Sequence, residues 1–378
     1  MDKFKKIFLS FYLVFWVATI AIVFAIWNEI PQILPVQQEE TYSHEFIHGE
    51  VRELKSPSNK DEAQLLIIRA DSGEEKGEAV IAPVSSANNF NQYEIGDEVQ
   101  IYKMINNLTA EITYEVSDYY HGNGLIWIFI IFAVITVLIA RKKGLTAILS
   151  VAVSLILFYF VFLKMVIAGH FPVYSCLIFV IMATFITIPL IHGFNKKSLS
   201  AIIAIFFGYA LSIFISFLFK DVAQLGNSPG EEFRMLGVMY PAISLSDILV
   251  ASIFIGAVGA LIDTTISIAS AVFEAIGKKT EHTFLHVYKI GMAVGKDVLG
   301  SMINTLLFAY LASALPFLVI VTLSHGSALV ELINIDFIAL ELTRTFIGAI
   351  SLVVIIPITA SISAYLLIHE KVPRISRN

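Results

Sequence analysis

Two aspartates sit among apolar and small residues: Asp263 within Gly256–Glu274 (GAVGALIDTTISIASAVFE) and Asp297 within Gly291–Tyr310 (GMAVGKDVLGSMINTLLFAY). An ionised side chain at the centre of a membrane span costs at least about 2.5–3.5 kcal/mol, so such a residue is a functional candidate by default. In the first stretch Asp263, Ser267, Ser270 and Glu274 recur at helical spacing and share one stripe, with Thr264 beside it. Ser252, Gly256, Ala260 and Thr264 form a second stripe, small at every fourth position, which lets membrane helices approach closely. In the second stretch Asp297, Ser301, Asn304 and Phe308 share a face entered through Gly291 and Gly295, whereas Lys296 points elsewhere. A carboxylate withheld from water suits proton uptake or cation coordination, and hydroxyls and an amide can continue a polar path. The candidate path is Asp263, Thr264, Ser267, Asp297, Ser301 and Asn304. Ser267, Ser270, Thr305 and Glu274 also fit a plainer role, joining helices or reaching the inner interface.

The remaining motifs carry less. His44-Glu45-xx-His48 matches the zinc-protease pattern, but that chemistry needs a helix, and Gly49 and its neighbours favour a strand. Glu281-His282-xxx-His286 reads as a solvated loop face, and Gly291–Lys296 lacks the spacing and the Ser/Thr of a phosphate loop. The single cysteine, Cys176, lies in an apolar run and can form no internal disulfide. Asn107-Leu108-Thr109 is read as an incidental glycosylation tripeptide. No metal, cofactor or catalytic activity is expected.

The elements that must position these groups are membrane spans. The chain of 378 residues is 57% hydrophobic and 15% charged, with a mean hydropathy of +0.79, against about 25% charged in a soluble domain. About 20 apolar residues cross a bilayer core of ~30 Å. Eight stretches qualify, near 7–27, 124–140, 145–163, 173–192, 199–219, 248–272, 298–323 and 343–368. The first lacks a small-x-small cleavage site and is read as a retained anchor. Basic clusters follow every even-numbered span (Arg141 to Lys143, Lys196 and Lys197, Lys278 and Lys279, Lys371 to Arg377), and Lys3, Lys5 and Lys6 precede the first. The positive-inside rule then puts both termini in the cytoplasm and residues 36–121 outside. On that reading the polar faces of spans six and seven overlap in a hydrated layer of the cytoplasmic half, with Asp263 in the inner third.

Residues 36–121 carry 17 acidic and 6 basic side chains. They form an acidic insert on a basic, lipid-embedded body, with no basic patch for nucleic acid. Short β-branched or aromatic runs at 47–54, 64–70, 78–84, 98–105 and 111–116 are separated by turn chemistry. Five strands in so few residues suit a small oligonucleotide/oligosaccharide-binding (OB) type barrel. The expected fold is therefore an all-α polytopic membrane protein of about eight helices, with a small all-β extracytoplasmic domain between helices 1 and 2. Its parts are 1–35, a cytoplasmic N-terminus and anchor; 36–121, the β domain; 122–370, a seven-helix membrane domain; and 371–378, a cytoplasmic tail. The long loop 220–247 is placed to cover a translocation entrance.

The two motif stretches together resemble the YibE/F family of bacterial multi-span membrane proteins. The family pattern GAxGAxxDxxxSIAS is met by Gly256-Ala257-Val258-Gly259-Ala260 through Asp263 to Ser267-Ile268-Ala269-Ser270. The pattern G(K/R)DxxGxMxNTLxxAY is met by Gly295-Lys296-Asp297 through Gly300, Met302, Asn304-Thr305-Leu306 and Ala309-Tyr310. The external domain is similar as well, ending in Asp118-Tyr119-Tyr120, with His121 where the family has Arg. The resemblance implies a bacterial plasma-membrane protein, permease-like, with a paired membrane homologue or a homo-oligomer as partner. Residue roles are read from membrane physics alone. The leading expectation is a transporter of a small solute or ion centred on Asp263. The alternative is a non-transporting envelope assembly or sensing protein that binds a partner through its external domain. An intramembrane aspartyl hydrolase fits poorly, because neither aspartate has a Gly-x-Gly-Asp setting.

Overall fold

The computed structural model describes residues 3–27, 42–55, 64–84, 91–222, 230–275, 283–325 and 332–369. Contacts divide the chain into two compact units, residues 37–141 and the remainder.

The first unit holds five strands, β1 (Tyr42–Lys55), β2 (Leu65–Ala70), β3 (Ala79–Pro83), β4 (Glu98–Asn106) and β5 (Ile112–Tyr119), followed by helix α2 (Gly122–Ala140). The strands pair antiparallel in the order β3-β2-β1-β4-β5, and a parallel bridge between Val84 and Val116 brings the two edges together, so the sheet curls. Period-2 alternation turns Ile47, Val51, Leu66, Ile68, Val80, Val99, Ile101 and Val116 inward as one core. Gly49 is required where β1 crosses β2, because a Cβ there would strike the Arg69 carbonyl. His44 and His48 lie in β1. They stand four residues apart along an extended strand, about 13 Å, too far to share a metal. The turn expected at 56–59 lies outside the described residues.

The second unit is helical: α1 (Lys3–Trp27), α3 (Lys142–Leu157) continued through a π turn and α4 (Lys164–Ile167), α5 (Pro172–His192), α6 (Lys196–Val222), α7 (Glu231–Met239), α8 (Leu245–Ala275), α9 (Phe284–His325) and α10 (Asp336–Ile368). Among the described residues seven helices, counting α2, are long and apolar enough to cross a membrane, and α1 contributes a shorter apolar stretch, Lys6–Ile22. Three elements differ most from the sequence expectation. Helix α9 begins at Phe284 rather than near 298, because Lys289, Lys296 and Asp297 dilute hydropathy without breaking a helix. Helix α10 begins at Asp336 rather than 343. Helix α7 forms inside the segment read as loop 220–247. Residues 223–229, Glu281, His282 and the tail from 370 lie outside the described residues.

Polar and small residues set the packing of α6, α8, α9 and α10. Ser200 pairs with Ser363 at 2.6 Å and Ser212 with Ser351 at 2.7 Å, so α6 and α10 run antiparallel. A Cβ added to Gly291 would press on Ala360 and Val272, and one on Gly295 would press on Ile356 and Ile268. A Cβ on Gly256 would run into the Tyr310 hydroxyl. These glycines are the close-approach points of α9 with α8 and α10, as expected of small residues in membrane bundles. Cys176 is buried against α8, with its Sγ 3.9 Å from the Ala251 carbonyl.

Candidate functional site

The contacts Gly256–Tyr310, Ile268–Gly295 and Val272–Gly291 fix the antiparallel register of α8 and α9. Interpolating along it, Asp263 lies level with Gly300–Ile303 and Asp297 level with Ile266. Helix α8 extends beyond the expected span at both ends, so Asp263 is about 27 Å from its first residue and about 18 Å from its last. It stands near the middle of the helix rather than in an end third. Asp297 is about 20 Å into α9, and two turns from the level of Glu274, which pairs with Lys197 at 3.6 Å.

Orientation within the bundle separates the candidates. Asp263, Asp297, Ser301 and Asn304 are exposed, Ser267 is half-buried, and Thr264 is buried. Thr264 thus points into the bundle, away from the others, and its Oγ1 has no hydrogen-bond partner. Ser301 donates to the Val298 carbonyl at 2.8 Å within its own helix. A Cβ on Gly259 or on Gly300 would meet nothing within 4 Å. The small and polar positions of α8 form one stripe, Ser252, Gly256, Gly259, Asp263, Ser267, Ser270 and Glu274, beside the exposed Gly300, Ser301 and Asn304 of α9. The expected layer between α8 and α9 is instead a laterally open face. The helical period fixes which residues align but not which way the stripe turns. A cavity of about 420 Å³ lies elsewhere, lined by Phe171, Val173, Tyr174, Leu177, Ile213, Phe217 and Asp247.

The two sequence motifs meet at their ends. Gly256 opens the first and Tyr310 closes the second, and the ring of Tyr310 reaches α8 because Gly256 has no side chain. The spacing of both motifs is thereby a packing register as well as a polar pattern. The deciding comparison is a family model, described as YibE/F-like protein, that matches residues 128–369. The chain belongs to this family. The match begins inside α2, so the YibE/F-like region takes in both motif helices and leaves the curled sheet outside. No curated protein and no solved structure matches.

Beside Tyr310 lies a polar cluster that the sequence reading missed. Glu341 on α10 is 3% exposed. Arg344, one turn later, donates to its Oε1 at 2.6 Å and to the Ser252 hydroxyl of α8 at 2.9 Å. The span expected at 343–368 stopped short of Glu341 and took in Arg344 only at its edge. The signal was present as Glu and Arg at i and i+3 within the apolar run of residues 336–348.

The curled sheet has its own buried charge. Lys103, 1% exposed, contacts Glu75 Oε1 at 2.5 Å and Glu45 at 3.6 Å, and Tyr114 donates to Glu75 at 2.9 Å. Burial is the largest influence on the Glu75 carboxyl and raises it, but the hydrogen bonds from Lys103, its own backbone amide and Tyr114, with the Lys103 charge, together outweigh it and the net direction is downward. The Lys103 ammonium is held above its ordinary value by its hydrogen bond to Glu75, against desolvation. On the outer face of β1, His44 stacks on Tyr102 at 5.1 Å, Phe46 packs on the same ring, and His48 stacks on Tyr120 at 4.3 Å.

Proposed function

We propose that this YibE/F-like protein moves a small solute or ion across a membrane, with Asp263 as the proton-accepting or ion-coordinating group. The observation that carries this reading is an unpaired carboxylate near the middle of a membrane-length helix, on an unbroken small and polar stripe. Among the described residues neither Asp263 nor Asp297 has a hydrogen-bond or ion-pair partner. A charge left so in hydrocarbon is costly, and water or a second chain must cover it. Ser267, Asp297, Ser301 and Asn304 continue the path, and Thr264 supports it from the bundle side. A second copy, or a paired membrane homologue, closes the open face of α8 and α9 and turns it into a channelled path. The setting is a bacterial plasma membrane, with both termini cytoplasmic and the sheet outside. Cysteines placed singly at Gly259, Ser267 and Ser301 in a Cys176→Ser background test the water access this requires. They should react with a small hydrophilic thiol reagent, while Leu261→Cys, buried in the bundle, should not. Equal inertness at all four positions contradicts the path.

The aromatic ladder on β1 and β4 favours a second reading, in which the sheet recruits a partner for envelope assembly or sensing. Strand order and the parallel Val84–Val116 bridge support an OB-like barrel, an architecture often used for binding. Phe46→Ala with Tyr102→Ala separates the two. Lost cellular function with unchanged solute flux favours the assembly role.

A further inference from the structure

The Glu341–Arg344 pair is incompletely satisfied. Glu341 Oε1 accepts from Arg344 Nη1 at 2.6 Å, but its Oε2 is buried without a partner. Arg344 Nη2 donates to the neutral Ser252 hydroxyl at 2.9 Å, and its Nε is also buried without a partner. An orphaned buried polar group is destabilising, more so when charged, so two in one ion pair are not explained by stability. A buried ion pair is in any case weak evidence for stability.

The chemistry of the two orphans is complementary. Nε and Nη2 of a guanidinium form its side-on fork, the edge that receives a carboxylate or similar planar oxyanion through two parallel hydrogen bonds. Glu341 occupies only the far nitrogen, so this fork is engaged by nothing charged. Beside it, Glu341 Oε2 is a free acceptor. A protonated oxyacid offers an oxygen acceptor for the fork and an O–H donor for the carboxylate. The Tyr310 hydroxyl stands against Gly256, one turn from Ser252. Among the described residues the titratable groups facing Glu341 are Arg344 on its own helix and Tyr310 on α9, while α8 presents Ser252.

We propose that Ser252, Tyr310, Glu341 and Arg344 form a binding site for a small oxyanion taken up together with one proton, of the class of simple carboxylates and hydrogen carbonate. The anion sits on the side-on fork of Arg344, and the proton is shared with the free Glu341 oxygen. Ser252 is also the first member of the α8 stripe, which leads through Gly256 and Gly259 to Asp263, so the site stands at one end of the path. The inference deepens the transport reading by naming a solute class, and its test needs no flux.

The test is thermal unfolding of the full-length protein in nanodiscs with sodium acetate, sodium hydrogen carbonate or sodium chloride at equal ionic strength, on both sides of neutral pH. Acetate and hydrogen carbonate at a hundredfold excess over Kd should raise Tm by about 5 °C and chloride should not. The rise should shrink as pH increases, because a proton is taken up on binding. Arg344→Lys, which keeps the charge but loses the fork, should abolish it, and Glu341→Gln should remove its pH dependence. Phe214→Leu, exposed on α6 and outside the site, should keep the full rise, and because the readout is binding rather than flux, failure of this site is distinguishable from failure of the transport reading. Infrared difference spectra of the wild type with 13C-acetate give a second readout independent of any variant, an isotope-shifted carboxyl band at low pH. No rise in the wild type, an equal rise with chloride, or an unchanged rise in a folded Arg344→Lys overturns the proposal and leaves a structural ion pair bridged by water.

Discussion

At the scale of single residues, the glycines of the two motifs divide into those that permit contact and those that leave space. Gly256 accommodates the Tyr310 hydroxyl, while Gly259 and Gly300 face nothing. Gly256→Ala should therefore lower stability by about 1–3 kcal/mol through overpacking, read as the unfolding midpoint in mild detergent. Tyr310→Phe, which removes the clashing oxygen, should restore part of that loss, a coupling a double-mutant cycle measures. Gly259→Ala and Gly300→Ala should stay within about 0.5 kcal/mol of the wild type. A Gly256→Ala variant as stable as the wild type, or no coupling to Tyr310, contradicts this packing. In the sheet, Lys103→Met strands Glu75, 8% exposed, without its cation, and should cost about 3–5 kcal/mol. The pH signs follow from the same pair. The depressed Glu75 carboxyl contributes stability that is present above its unfolded value near 4 and lost as pH falls through the lower folded value. The raised Lys103 ammonium contributes stability that is present below its unfolded value near 10 and lost as pH rises through the higher folded value. Hydrogen exchange of β4 amides in the full-length protein should show protection that holds across neutral pH and falls at both extremes. In Lys103→Met it should be weaker throughout.

At the scale of elements, helix existence was readable because a run of about 20 apolar residues has few soluble alternatives. The strands at 65–70, 79–83 and 98–106 were readable from alternation within a residue or two. What hydropathy hides is the part of a helix that carries charge. Lys289, Lys296 and Asp297 kept the first turns of α9 out of the expected span, and Asp336 and Glu341 did the same for α10. The alignment of Asp263, Ser267, Ser270 and Glu274 followed from the helical period. The placement of Thr264 inside the bundle did not, because facing is decided by the neighbours. The serine pairs joining α6 to α10 came only from tertiary contact. Ser212→Ala should cost about 0.5–1 kcal/mol, the usual worth of an interhelical hydrogen bond in a membrane. The Ser351 hydroxyl already donates to the Ile347 carbonyl, so removing Ser212 leaves no donor stranded, and a loss well above this range contradicts the pairing.

At the scale of the molecule, the exposed face of α8 and α9 is the feature that a single chain leaves unfinished. Exposed Asp297, Ser301 and Asn304 in lipid are costly, and a second membrane chain on this face relieves that cost. Ser301→Cys in a Cys176→Ser background should form a disulfide-linked dimer on mild oxidation in native membranes, whereas a cysteine at Phe214, exposed on α6, should not. Dimer at both positions, or at neither, contradicts the placement of the interface. The central claim, that Asp263 is the working group of a polar path, is tested most directly by flux. Proteoliposomes with a trapped pH dye and an imposed inward gradient of lactate, a simple carboxylate, should show proton movement with the wild-type protein, and Asp263→Asn, inserted in equal amount and equally stable, should reduce it to the level of empty liposomes. Proton movement undiminished in Asp263→Asn would contradict the account.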